Sequence, residues 1–277
     1  MRGAFRLARP LNCAMSAVGV AIGGVVAVGT AAYTSSAPSV ALAGGAAASF
    51  TAGGNALNDL FDRETDRVNH PERPLVSGDV SVLAAKAFVI AAFLLAGFLA
   101  SFISPYALAI VGVNAGLMFT YEARWKARGL AGNVVISYLV GSLFLFAGVS
   151  VFASDPGPLM RTGILAALAS VATFGREVTK DIEDVRGDVD RRTLPQRIGK
   201  RRAGIVAGAI LAVGVLLSVL PLYLGLLSVG YAVVVIPADG MFIYAALHSA
   251  ANPSRSARVT KYAMIVALAA FLAGAFA

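Results

Sequence analysis

Long apolar runs alternate with short charged segments along the whole chain. A helix that crosses a bilayer needs roughly 20 apolar residues. Nine runs approach or meet that length: 11–32, 38–58, 80–101, 105–121, 129–153, 158–178, 203–222, 226–248 and 260–277. The fourth is the shortest. The pattern predicts an all-α fold, a polytopic membrane helical bundle of about nine transmembrane helices. The N-terminus places Arg2, Arg6 and Arg9 before an apolar run from Leu11, the outline of a signal peptide. Many more spans follow, so we read it as a retained first span.

The basic residues test this count. Arg2, Arg6 and Arg9 precede span 1. Arg63, Arg67, Arg73 and Lys86 fall between spans 2 and 3 or just inside the latter. Arg124, Lys126 and Arg128 lie between 4 and 5. A dense group from Arg176 to Arg202 lies between 6 and 7, and Arg255, Arg258 and Lys261 between 8 and 9. With nine spans, all of the 23 Lys and Arg except Arg161 fall on one side. Basic loops stay in the cytoplasm. The expectation is a multi-pass protein of the cell membrane, one membrane-embedded domain over 1–277, with its N-terminus and the loops 58–79 and 177–202 cytoplasmic. Each of those loops should begin as a straight continuation of its span. Pro71, Pro74 and Pro195 should end these segments, and a short helix after each could cap the bundle as a lid.

Composition agrees. The chain is 58% hydrophobic and 14% charged, against about 25% charged in soluble domains, and its mean hydropathy is +0.76. The net charge of +8 is confined to loops, which favours anionic lipid or an anionic substrate over nucleic acid. Cys13 is the only cysteine, so no internal disulfide forms. His70 and His248 are the only histidines, which argues against zinc.

Against this apolar background one acidic pattern occurs twice. Asp59, Asp62 and Asp66 form D-x-x-D-x-x-x-D, and Asp181, Asp184 and Asp188 repeat that spacing. On a helix the spacing i, i+3, i+7 places all three on one face. Asn55 and Asn58 would share a face with Asp62, adding neutral amide ligands. Six carboxylates on two facing helices repel one another unless cations sit between them. Mg²⁺ takes oxygen ligands and commonly bridges a few carboxylates to substrate phosphates. The pattern therefore points to diphosphate chemistry at a membrane surface. Asp59, Asp62, Asp181 and Asp184 are the candidate catalytic acids. The bland alternative is a pair of solvated helix ends with Arg63, Arg67 and Lys180 pairing the acids. The second copy weakens it.

Arg73, Arg124, Lys126 and Lys180 are candidate clamps for diphosphate oxygens, Arg by a bidentate fork and Lys as a point charge. Any one of them could equally serve topology. Asp239 follows Pro237 inside span 8. A charge in the hydrocarbon region is costly, so it should face a cavity or a partner. Asn12, Asn114, Asn133 and Tyr138 also lie in or near spans and hint at a polar cavity.

Beyond each motif comes a similar phrase: Arg73-Pro74-Leu75 with Gly78, and Thr193-Leu194-Pro195 with Gly199. This suggests two four-helix pseudo-repeats in the same orientation, plus one extra helix. An inverted-topology transporter would differ, and its site would lie near the midplane. A CDP-alcohol phosphotransferase would carry a D-G-x-x-A-R-type motif, which Asp239-Gly240 does not begin.

These residues resemble the UbiA family of intramembrane prenyltransferases. Its first motif, N-D-x-x-D-x-x-x-D, matches Asn58 to Asp66, and its second matches Asp181 to Asp188. Arg9-Pro10 with Asn12, Arg73-Pro74-Leu75, and Tyr121 through Lys126 to Gly132-Asn133 also match, in order. Within the family, Gly175 to Asp188 followed by Thr193-Leu194-Pro195 looks most like the archaeal digeranylgeranylglyceryl phosphate synthase branch. The resemblance implies a nine-helix bundle and Mg²⁺ as cofactor. It implies transfer from geranylgeranyl diphosphate to a lipid-like acceptor, geranylgeranylglyceryl phosphate. An aromatic acceptor such as 4-hydroxybenzoate on the same scaffold is the closest alternative. Asn12, Asn55, Tyr121, Asn133 and Asp239 are then candidates for the acceptor site or cavity wall.

Overall fold

The computed structural model describes residues 2–152, 155–185 and 192–276. Every regular element among them is helical. After the short α1 (Arg2–Ala8), α2 (Pro10–Phe61) is 52 residues long. That exceeds any bilayer, and Gly29 (φ 70°, ψ 176°) folds it into two arms. Glycine reaches this positive φ without a Cβ clash. The arms run antiparallel: Gly24 lies against Val40, Gly44 against Ala17. Val20, Val40, Ala43, Ala46 and Ala47 share one core cluster. The sequence reading put this break at 32–38. Pro38 lies inside the second arm instead.

The other elements are α3 (Arg63–Asn69), α4 (Val82–Ser101), α5 (Pro105–Thr120), a π-turn at Tyr121–Trp125, α6 (Leu130–Ser150), α7 (Gly157–Asp184), α8 (Leu194–Ile198), α9 (Lys200–Leu217), α10 (Leu220–Tyr223), α11 (Val229–His248) and α12 (Pro253–Ala275). Several starts are written locally. Ser81, Ser104 and Asn252 accept the N–H of Ala84, Ala107 and Arg255. Pro105 and Pro253 then stand early in their helices, where a missing N–H costs nothing.

Among the described residues, seven helices are long and apolar enough to cross a membrane. The chain is an integral multi-pass membrane protein. The nine-span reading counts two further spans, 38–58 in the second arm of α2 and 105–121, which the structure forms as the 16-residue α5. The two halves pack alike. The second arm of α2 packs on α4 as α7 packs on α9, and α4 meets α5 as α9 meets α11. The glycine of each repeated phrase takes a positive φ, Gly78 at 82° and Gly199 at 84°. α12, the extra helix, packs on α11, α7 and α2.

Helix contacts are close because small residues line them, as expected where lipid is as apolar as leucine. A Cβ on Gly148 of α6 would lie 1.9 Å from Thr162 Oγ1 of α7. Gly204 and Gly208 of α9 similarly face Ala250 and Ala246. Ser249 Oγ donates to the Gly204 carbonyl at 2.7 Å.

Both motif helices extend past their apolar stretches as expected, α2 to Phe61 and α7 to Asp184, and each is followed by a short helix, α3 or α8. Pro195 corrects the expectation in one respect. It sits in the first turn of α8 and helps start it, with Gln196 Oε1 accepting the Thr193 N–H at 2.9 Å.

Candidate active site

The first motif does not lie on one unbroken helix. Asp62 caps the end of α2 and the start of α3 with φ −84° and ψ 4°. The i to i+4 bonds persist through it: Asp62 N–H to Asn58 O at 2.9 Å, Asp66 N–H to Asp62 O at 2.8 Å. The bend divides the carboxylates between two sets of cations.

Asp59 and Asp66 are both buried and share Arg73, which pairs with Asp66 and lies 3.4 Å from Asp59 Oδ1. Arg9 also pairs with Asp59. Arg9 joins α1 to α2 with φ 51°, an unusual conformation for a non-glycine residue. Pro10 after it disfavours the ordinary helical alternative. Asp59 sits beyond the apolar part of its helix. Burial pushes its carboxyl above the usual range, opposed by Arg9 and Arg73.

Asp62 points elsewhere. Lys126 Nζ donates to its Oδ1 at 2.8 Å and Oδ2 at 2.6 Å. Lys126 also reaches Glu122 Oε2 at 3.0 Å. Asn58 Nδ2 donates to Asp62 Oδ2 and Glu122 Oε1, both at 3.0 Å. Glu122 and Lys126 are brought there by the π-turn, a wide turn that recurs at functional sites.

The second motif begins at Asp181, whose Oδ2 accepts from Asn133 Nδ2 at 2.8 Å. Asp184 is exposed. Asp188 lies outside the described residues. Lys180 pairs with Glu177 at 3.1 Å, as does Arg176 at 3.0 Å. One segment therefore joins the two motifs: Glu122 and Lys126 touch the first and Asn133 the second. The Arg192 N–H donates to the Ala127 carbonyl at 3.1 Å, packing the start of the α8 region onto that segment.

The remaining candidates divide. Asn55 donates to the Ala8 carbonyl at 2.9 Å, tying α2 to α1 instead of joining Asn58. Asn12 is exposed on the first turn of α2. Arg124 is exposed and makes no ion pair with an acid among the described residues. Tyr121 opens the π-turn. Asp239 accepts from Ser218 Oγ at 2.8 Å and lines a cavity, so it has both a partner and a void. Glu122 and Arg9 were not singled out from sequence. Glu122 could have been found as an acid four residues before Lys126, and Arg9 through the Arg9-Pro10 phrase.

An apolar cavity lies below each motif. One of about 310 Å³ reaches Asn55, one helical turn before Asn58, and has Ser16, Thr51, Asn114 and Ser142 on its wall. The other, about 330 Å³, reaches Arg176, five residues before Asp181, with Lys261 and Asp239 in its wall. Both are lined by Val140 and Phe144 of α6.

Among the described residues, no three His, Cys, Asp or Glu side chains already converge as a metal-binding group. The motif donors are oxygen only. Lys126 supplies the positive charge between Asp62 and Glu122. Such donors suit a hard divalent cation. If Arg73 and Lys126 serve an anionic substrate, Arg73→Ala and Lys126→Ala should each weaken the binding of a diphosphate substrate about tenfold or more, the scale of one charged hydrogen bond. Titration of each variant tests this. Unchanged affinity in both would leave them as partners of the acids only.

Comparison with known proteins agrees over the full length. The UbiA prenyltransferase family model matches residues 17–274. Digeranylgeranylglyceryl phosphate synthase of Methanopyrus kandleri is 39% identical, covering 99% of this chain and 99% of the relative. A solved structure of a digeranylgeranylglyceryl phosphate synthase in membranes is 32% identical with TM-score 0.88, covering 99% of this chain and 98% of the other. A UbiA homolog from Archaeoglobus fulgidus bound to DMAPP and Mg²⁺ shares the fold at TM-score 0.61 and 16% identity, over 97% and 99% of the two chains. With its paired acidic motifs at one end of a helical bundle, the chain is a membrane-embedded transferase and belongs to the UbiA prenyltransferase family.

Proposed function

We propose that this protein transfers a geranylgeranyl group from geranylgeranyl diphosphate to the glycerol hydroxyl of geranylgeranylglyceryl phosphate. The observation that carries the choice of acceptor is the pair of apolar cavities, one reaching toward each acidic motif, with Val140 and Phe144 in the wall of both. A reaction that joins two long isoprenoid molecules needs room for two chains. A small aromatic acid would need room for only one. The relatives at 39% and 32% identity carry the name of that same synthase.

Asn58, Asp59, Asp62, Asp66, Asp181, Asp184 and Asp188 would hold Mg²⁺. Bound there, Mg²⁺ would neutralise the diphosphate and stabilise the charge that grows on it as it leaves. A homolog of the same fold, from A. fulgidus, has been solved bound to DMAPP and Mg²⁺. The protein's own cations contribute at the same end. Lys126 and Arg73, released from the acids, can donate to phosphate oxygens. Lys180, held only by Glu177 among the ion pairs of the described residues, is a further donor. Asn133 fixes the orientation of Asp181.

The apolar walls exclude water while the allylic C–O bond breaks, its electron pair leaving with the diphosphate. The acceptor hydroxyl oxygen then bonds to the allylic carbon and releases one proton. The basic loops at the motif end support a cytoplasmic position for that end.

The test is a competition. Purified protein with Mg²⁺ and geranylgeranyl diphosphate is offered geranylgeranylglyceryl phosphate and 4-hydroxybenzoate together. The expected product has the mass of the diether phosphate. Predominant prenylation of the ring would reject this acceptor and leave the family chemistry intact.

A further inference from the structure

A third void lies outside both cavities. Between the second arm of α2, α4 and α5 runs a groove of about 720 Å³. Leu57, Leu60, Val89, Ile90, Phe93 and Phe119 form much of its wall. It opens on the side of the bundle where Leu83, Ile90, Leu94 and Phe119 are exposed. The apolar trough ends at two cations, Arg63 on the first residue of α3 and Lys86 in the second turn of α4. Neither makes an ion pair among the described residues, although Arg9, Arg67 and Arg73 nearby all do. The Nε of Arg63 is buried and has no hydrogen-bond partner. Buried donors are ordinarily satisfied, so this Nε, like those of Arg161 and Arg176, can still take an acceptor.

We propose that this groove binds one anionic phospholipid of the surrounding membrane, its phosphate between Arg63 and Lys86 and a hydrocarbon chain along α4. The charge pattern selects this occupant. A purely apolar partner would leave both cations unmatched, and a soluble anion would leave the trough exposed. Basic pockets between transmembrane helices are a recurring seat for phospholipid head groups. From Lys86 to Leu94 the trough runs about 12 Å at helical rise, enough to align the upper part of one chain. Arg63 follows Asp62 directly, at the bend between α2 and α3. A phosphate held there ties that bend, and with it the first motif, to the membrane's anionic lipid.

Native mass spectrometry of the detergent-solubilised protein, titrated separately with dioleoyl-phosphatidylglycerol and dioleoyl-phosphatidylcholine, tests the site. The wild type should retain phosphatidylglycerol in preference. Each cation should contribute about fivefold in affinity, so Arg63→Gln with Lys86→Gln should weaken retention about 25-fold. Replacing the exposed pair Lys200 and Arg201 by Gln should change nothing. Should the double variant fold poorly, Lys86→Gln alone alters an exposed side chain and must still show its fivefold loss. Equal retention of the two lipids by the wild type, or equal phosphatidylglycerol affinity in wild type and Lys86→Gln, overturns the proposal. So does retention of geranylgeranylglyceryl phosphate with none of phosphatidylglycerol, which would make the groove a substrate entrance.

Discussion

Asp62→Ala and Asp184→Ala are each expected to lower turnover by about 10²–10³ while the protein stays folded in detergent. The rate loss is the usual cost, roughly 3–4 kcal/mol, of removing one group that stabilises charge in the transition state. The structure explains why folding should survive. Asp184 is exposed, so its removal takes no buried carboxylate out of the fold. Without Asp62, Lys126 keeps Glu122 at 3.0 Å and Asn58 keeps the other Glu122 oxygen. Asp59 would be a poorer choice. It is buried against Arg9 and Arg73, and its loss would leave the Arg9 guanidinium without its acceptor while Arg73 kept only Asp66, mixing stability with catalysis. Steady-state rates at saturating Mg²⁺, beside thermal melting of the same preparations, separate the two effects. Turnover within threefold of wild type in both variants would remove the acidic motifs from the chemistry.

The bundle was legible in the sequence because the bilayer imposes one dominant requirement, apolar runs of fixed length, and the loop charges record which runs cross. Local chain reversal was less legible. Gly29 turns the chain within an apolar stretch, where no loop composition marks it, and Pro38 follows as a false marker inside the second arm. The acids of both motifs could be read directly, since carboxylates at a fixed helical spacing are rare in so apolar a chain. Their partners could not. The division of Asp59 and Asp66 from Asp62 depends on a bend of one residue. Glu122 reaches Asn58 from 64 positions away only because the chain widens into a π-turn. Asn55 matched the helical register of Asn58 but was drawn to the Ala8 carbonyl by the packing of α1, which register does not encode.

Glu122→Ala is expected to lower apparent Mg²⁺ affinity about 10–100-fold, the usual cost of losing a group that orients ligands from behind. Glu122 is 8% exposed and uses both oxygens, one for Asn58 and one for Lys126. It holds Lys126 by a carboxylate that is not part of either motif. With that hold removed, Lys126 has Asp62 as its remaining acid partner and competes harder with any cation for it. Asn58 loses an acceptor and is freer to rotate away. The variant should therefore need more Mg²⁺ to reach half-maximal rate, and raising Mg²⁺ should restore part of the loss. Stability should fall too, by about 1 kcal/mol, because two hydrogen bonds in a half-buried network are lost while both donors keep Asp62. Glu122→Gln retains an acceptor for one neighbour and should fall between the two proteins in both measurements. The Mg²⁺ titration is the discriminating readout, since a purely structural glutamate would lower melting temperature without moving the half-saturating Mg²⁺ concentration. If Glu122→Ala melts lower but titrates like wild type, Glu122 supports the π-turn alone and Asp62 is poised by other means.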